Sequence, residues 1–461
     1  MKQQQELEKA LAFHQAGDLA NAKRSYQLVL RAAPRNFDAS YLLGLCFLQD
    51  GQFEKAEKQL DRAIKINPRA ANAFNDRGNA RLELNRPAEA LEDYDTAIGL
   101  DPTFAEAFNN RGNALLNLSR FDQAIECFDK AIAIKSEYAR AYYNRGNAFR
   151  KLKEFKTALL SYESAVALEP NYIEAHNNRG NALLDLHRTD DALSAYDKVI
   201  SLNPFFAEAF SNRANALIEL RRFSEAFRAC ETALALNRGL PEGWLARGDV
   251  LRNLRRYDES LAAYDEALKL NEQLGDAWCG RAKTLHALKR HEEAAKAYVR
   301  LLQVNPDYNF AKGHMAYEKM LACDWTGLAG LQQSIREDVR AGKKSAQPFG
   351  YQAFSHSAQD LRRCARIFVQ EEHPAAEVPL CQGERYVHRK VRIGYVSGEF
   401  RQHATSILIA ELFELHDKSR FELFAFDNGF DDGSELRRRI NSAFDCVVDI
   451  SRFGTLGQPL R

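Results

Sequence analysis

From residue 3 to residue 308 the chain repeats a pattern of small, apolar and polar positions every 34 residues. Arg77, Arg111, Arg145, Arg179, Arg213, Arg247 and Arg281 fall in one column. The next position is small each time: Gly78, Gly112, Gly146, Gly180, Ala214, Gly248 and Ala282. A second small column runs from Ala22 and Ala56 to Ala294, and four residues beyond it runs a mostly apolar column: Tyr26, Leu60, Tyr94, Phe128, Tyr162, Tyr196, Cys230, Tyr264 and Tyr298. Proline closes many units (Pro34, Pro68, Pro102, Pro170, Pro204, Pro306). The spacing predicts two amphipathic helices per unit, with units at 3–36, 37–70, 71–104, 105–138, 139–172, 173–206, 207–240, 241–274 and 275–308. Small residues let the second helix approach, the ring fills the space beside it, and proline stops the second helix. One such hairpin cannot bury its own apolar face, so the units are expected to stack into an α-solenoid with a concave surface lined by the first helices.

At about 100° per residue, the packed side of each first helix centres on the small column. The opposite side carries the positions two before and one after it: Asp76 and Asn79, Asn110 and Asn113, Asn144 and Asn147, Asn178 and Asn181, Asn212 and Asn215. Asparagine is a poor helix former, so paired columns of it in mid-helix need a reason. One reading is a ladder of amides, each able to donate to a peptide carbonyl and accept from a peptide N–H, that holds an extended polypeptide by its backbone. The competing reading has the same side chains bonded within the superhelix or to water. An acidic row (Glu106, Glu174, Glu208, Glu242, Asp276) borders the ladder, either as a preference for basic segments or as a solvated face.

The period stops near Pro306. A helical stretch follows, then a mixed segment over 343–390. From 391 the pattern alternates: VRIGYVS (391–397) reads as a short buried strand, TSILIAELFELHD (405–417) as a helix, FELFAFDN (421–428) as a strand, GSELRRRINSAF (433–444) as a helix and CVVDIS (446–451) as a strand. That order opens a doubly wound sheet, whose ligands bind beyond the carboxyl ends of its strands. The loop 398–404 sits there, and its His403 precedes a helix N-terminus, a natural place for an anion. From spacing alone a lone loop histidine is an ordinary surface residue.

Charge is balanced, 64 basic against 63 acidic residues, which argues against a nucleic-acid-binding protein. No apolar run reaches membrane-spanning length. The eight cysteines are scattered, make no C-x-x-C pair and read as buried hydrophobes in a reducing cytoplasm; no clustered metal ligands are visible.

Period and columns together resemble the tetratricopeptide repeat. The segments CDWTGL (323–328), RKVRIGYVSGEFRQHATS (389–406), FELFAFDNG (421–429) and FDCVVDIS (444–451) resemble the protein O-linked N-acetylglucosamine transferases and their SPINDLY-type relatives. The resemblance implies nine repeats over 3–308, a helical linker region over 309–390, and over 391–461 the beginning of a Rossmann-like, glycosyltransferase B type lobe. It also implies a catalytic place for His403, with Thr405 and Ser406 in the same motif and Ile407 where the family has a second histidine. No metal is implied, and a UDP-sugar donor is expected only for a complete protein. Since 391–461 holds three strands of the first lobe and none of the second, the expectation is a cytoplasmic repeat superhelix that binds protein substrates and is inactive alone. The family implies pairing of copies through convex sides as one oligomeric option. The alternative is a non-enzymatic scaffold for protein–protein interaction.

Overall fold

The computed structural model describes residues 2–372 and 388–450, so Cys381 and the tail 451–461 lie outside the described residues. The chain divides into two compact units, 1–289 and 290–461. In the first unit, eight helix pairs follow one another: α1 Lys2–Gln15 and α2 Leu19–Ala32, α3 Phe37–Gln49 and α4 Phe53–Ile66, α5 Ala71–Glu83 and α6 Pro87–Leu100, α7 Ala105–Asn117 and α8 Phe121–Ile134, α9 Ala139–Lys151 and α10 Phe155–Leu168, α11 Ile173–Asp185 and α12 Thr189–Leu202, α13 Ala207–Glu219 and α14 Phe223–Leu236, α15 Pro241–Asn253 and α16 Tyr257–Leu270. α17 (Gly275–Ala287) closes the unit.

Each first helix ends in the same backbone turn. In α5 the N–H of Arg86 reaches Arg81 O and that of Asn85 reaches Leu82 O, both at 2.9 Å, with Asn85 at φ +57°. This is a Schellman stop, which satisfies the carbonyls a helix end leaves open. Gly17 and Gly51 hold the left-handed position in the first two pairs; Asn85, Ser119, Lys153, His187, Arg221 and Arg255 hold it in the next six. Second helices end on an extended residue whether or not proline follows: Asp101 precedes Pro102 and Lys135 precedes Ser136, with nearly equal dihedrals.

The small column works as a seat. A Cβ on Gly78 would lie 2.7 Å from the Tyr94 ring, on Gly112 2.5 Å from Phe128, and on Gly180 2.5 Å from Tyr196. Where the seat is Ala214, the occupant shrinks to Cys230, and both are buried. The arginine before each seat reaches back 16 residues to an acid, as in Arg111–Asp95 at 2.6 Å, Arg145–Asp129 at 2.7 Å and Arg247–Glu231 at 2.6 Å. These acids are half exposed, so each pair adds little. From α3 to α17 every first helix touches the next first helix, whereas no two successive second helices meet as broadly. In a curved stack the elements that touch lie inside, so the first helices line the inner face.

The second unit opens with α18 (His291–Val304), α19 (Ala311–Leu321), α20 (Leu328–Arg340), α21 (Pro348–Gln352) and α22 (Ala358–Glu372). Leu328, Ile335, Val339, Tyr351 and Cys364 form their core. Then come β1 (Val391–Ser397), α23 (Ala404–Glu414), β2 (Phe421–Asp427), α24 (Glu435–Ala443) and β3 (Cys446–Asp449), a parallel sheet in the order β1-β2-β3. Both helices pack on one face, over Leu423 and Ala425. Contrary to the expectation of a buried strand, β1 pairs only with β2 among the described residues and none of its side chains is fully buried. Cysteines 46, 127, 230, 279 and 364 are buried; Cys323 and Cys446 are exposed.

Candidate functional site

The inner face of the first unit carries the asparagine columns, and the structure gives the two columns different partners. The column two before the seat bonds the previous repeat. Asn110 Nδ2 donates to Asn75 Oδ1 at 3.0 Å, Asn144 Nδ2 to Asn109 Oδ1 at 2.9 Å, and Asn212 Nδ2 to Asn177 Oδ1 at 3.0 Å. Asn178 Nδ2 donates to Tyr143 OH at 3.2 Å and to Asn147 Oδ1 at 2.9 Å. Asp76 takes the same place with Tyr41, whose OH donates to it at 2.7 Å. Each link runs from one first helix to the next, over 35 residues except Asn178–Asn147, which spans 31. The string stops where Ala246 replaces the amide, and there Ser211 Oγ, the group that would have paired, is buried without a partner among the described residues.

The second column faces the ring that fills the seat. Tyr94, Tyr162 and Tyr196, all fully buried, donate their hydroxyls at 2.8 Å to Oδ1 of Asn79, Asn147 and Asn181. Burial holds these phenols protonated, well above their ordinary range. Where the ring lacks a hydroxyl the amide is released: opposite Phe128 and Cys230, Asn113 and Asn215 make no side-chain hydrogen bond among the described residues. Both are half-buried. The amide groups of Asn79 and Asn181 make only long contacts, 3.4 Å, to Asp76 and Asn178. The sequence-derived ladder is thus one set of inter-helix fasteners and one set of amides with unused capacity, greatest at Asn113 and Asn215.

In the second unit the strand ends bring two loops together, 398–404 after β1 and 428–434 after β2. They approach so closely that a Cβ on Gly429 would lie 2.2 Å from Gly398 O. Gln402 N–H donates to Asp432 at 2.7 Å. Arg437, in the first turn of α24, ties both loops: its Nη1 donates to Phe400 O (3.1 Å) and Phe430 O (3.2 Å), while Nη2 lies 2.6 Å from the buried Asp427 and Nε 3.0 Å from Asp431. Arg401 stacks on Phe430, 4.6 Å from the ring centre.

His403 is the N-cap of α23. Its Nδ1 accepts from Thr405 N–H at 3.2 Å, which in this arrangement puts the ring proton on Nε2. Glu399 Oε2 lies 3.6 Å from the same Nδ1. The Ser406 hydroxyl donates to Glu399 O. Sequence reasoning placed His403 before a helix N-terminus but missed Asp427 and Arg437. The signal was an acidic residue closing the apolar run Leu423–Phe426 of β2.

Residues 374–459 match the model of Glycosyl transferase family 41. A TPR repeat model matches 78–119, 112–152 and 146–187, and a tetratricopeptide repeat model matches 7–71, 177–241 and 245–309. The UDP-N-acetylglucosamine–peptide N-acetylglucosaminyltransferase of Caenorhabditis elegans is 29% identical over 112 residues, 21% of this chain and 10% of that protein. The probable transferase SEC of Arabidopsis thaliana is 35% identical over 63 residues, 14% of this chain and 6% of that one. The chain therefore spans a tenth or less of the curated relatives it matches. Similar solved structures include YrrB, a TPR protein with an unusual peptide-binding site (26% identity, 41% of this chain and 97% of that chain, TM-score 0.35), and MamA (25%, 36% and 92%, TM-score 0.34). A Parabacteroides merdae tetratricopeptide protein also matches (18%, 54% and 98%, TM-score 0.45). Repeat models cover most of the chain and the transferase model takes up near its end: this is a tetratricopeptide-repeat protein carrying a glycosyl transferase family 41 segment.

Proposed function

We propose that the repeats hold an extended polypeptide along the inner face of the first helices, as the substrate-binding part of an O-linked N-acetylglucosamine-type transferase. The observation that carries this reading is the row of amides with spare donors and acceptors, open at Asn113 and Asn215, on helices that touch along the inside of the stack. Backbone recognition of this kind tolerates many sequences, because every peptide unit offers one donor and one acceptor. The seven described cysteines are all unpaired thiols, which fits a cytoplasmic setting, and among the described residues no helix is long and apolar enough to cross a membrane.

The family 41 segment supplies one wall of a nucleotide-sugar site: the loops fastened by Arg437, with His403 at the mouth of α23. A cleft needs a second wall, and among the described residues one face of the sheet is uncovered, so the described residues by themselves are not expected to carry transfer. Titration with UDP-N-acetylglucosamine by calorimetry tests that part: no saturable heat is expected, and saturable donor binding overturns it.

A second reading, a scaffold with no catalytic partner, is favoured by a separate observation. Asn110, Asn144, Asn178 and Asn212 spend their amides on inter-repeat bonds, so polar columns alone do not require a ligand. Peptide capture by variants at Asn113 and Asn215, which leave the fasteners intact, tests under either reading whether the open amides hold the polypeptide.

A further inference from the structure

Asn113 and Asn215 stand three repeats apart on the inner face, in α7 and α13, and neither makes a side-chain hydrogen bond among the described residues. The two amides between them in the same column are engaged. Asn147 Oδ1 accepts from Tyr162 OH at 2.8 Å and from Asn178 Nδ2 at 2.9 Å, which occupies both of its lone pairs. Asn181 Oδ1 accepts from Tyr196 OH at 2.8 Å, and its Nδ2 leans toward Asn178 at 3.4 Å. Beyond Asn215 the column turns to Asp249, whose carboxylate takes the Tyr264 hydroxyl at 2.8 Å and Arg252 at 3.0 Å. From Asn79 to Asp249, then, a whole carboxamide stands open at Asn113 and again at Asn215, an interval of three first helices.

That interval has a length in residues. Touching helices lie about 8–10 Å apart axis to axis, so three steps cover about 24–30 Å. At about 3.3 Å per residue an extended chain crosses this in roughly seven to nine residues. An extended residue turns its N–H and C=O to the same edge of the chain, and its neighbour turns them to the other edge. One carboxamide meets both groups of one residue, so the two residues held are separated by an even number, about eight. We propose that the groove selects an extended segment of at least about nine residues, gripped at two non-proline residues about eight apart by Asn113 and Asn215. The inference rests on the reading of the inner face as a polypeptide site. Proline is refused at the two grips because it has no N–H to give. Once one grip is made the other becomes intramolecular, so a segment that reaches both amides binds far better than one that reaches either alone.

Fluorescence anisotropy with labelled, proline-free Thr/Ser/Val peptides of five, seven, nine, eleven and fifteen residues tests this on the full chain. Kd is expected to fall at least about tenfold between seven and eleven residues, and by no more than about twofold from eleven to fifteen. In Asn113→Ala the step is expected to vanish, while the seven-residue peptide, still served by Asn215, stays within about twofold of its wild-type Kd. Phe128→Tyr keeps the amide and the packing, as Tyr94 does beside Gly78, and ties up Asn113 Oδ1 with a hydroxyl; it is expected to shrink the step. A nine-residue peptide N-methylated at its first and last residues is expected to bind no better than the seven-residue one. An affinity that rises smoothly with length, or a step that Asn113→Ala leaves intact, overturns this inference and leaves the polypeptide reading standing. No binding of any peptide up to fifteen residues overturns that reading and this inference with it.

Discussion

Asn144 and Asn113 stand on the same side of neighbouring helices, yet the physics asks different things of them. Asn144 is 8% exposed and bonds Asn109; its removal leaves a buried acceptor unpaired. Asn144→Ala is expected to cost about 1–3 kcal/mol in urea denaturation, whereas Asn113→Ala stays within about 0.5 kcal/mol of wild type. Asp76 breaks the amide column with a charge. Burial raises its carboxyl above the usual range, against the pull of hydrogen bonds from Tyr41, Asn75 and Asn79. The folded state therefore favours the neutral acid, and this contribution is present at low pH and lost as pH rises through the raised value. Asp76→Asn should move the urea midpoint upward at pH 7, and the gain should fade as the solution is acidified; a gain independent of pH contradicts this assignment. Sequence periodicity showed that these residues share a face. It did not show the 35-residue offset that joins them, since a helical wheel orients a side chain without naming its partner. The clue was the companion column Asn75, Asn109 and Asn177, one residue earlier.

At the scale of helices and strands, two local rules dominate. The Schellman turn after α7 puts Ser119 at φ +57°, a region that favours glycine. Ser119→Gly is expected to stabilise the first unit by about 1 kcal/mol, read as a rise in thermal midpoint. The seat is stricter. Gly112→Ala drives a methyl to within 2.5 Å of Phe128 and is expected to cost about 1–3 kcal/mol. The pairing of Ala214 with Cys230 shows the same constraint solved by a smaller occupant, and both columns were legible in the sequence. So were the strand and helix spans from β1 to β3, because alternation and caps are local signals. Two elements were not. β1 carries an apolar run suited to burial on both faces, and a run cannot tell which of its faces the described elements cover. α22 lay in a segment read as mixed, although Leu361, Cys364 and Ile367 repeat at helical spacing on its packed side.

At the scale of the whole molecule, the first unit is a stack whose inter-repeat fasteners and proposed binding groups come from the same residue type. Inter-repeat amides fix the spacing of the first helices, and the amides facing ring hydroxyls keep donors available; where the ring is phenylalanine or cysteine the whole carboxamide is left open. Under the proposed function, peptide binding follows the pattern of missing hydroxyls in the second helices, at Phe128 and Cys230. The most direct measurement is calorimetric or anisotropy binding of an unstructured polypeptide, one that the wild type captures, to the folded Asn113→Ala/Asn215→Ala variant. The account predicts at least about tenfold weaker binding from the loss of two amide contacts, with an unchanged thermal midpoint. Wild-type affinity in that variant contradicts it.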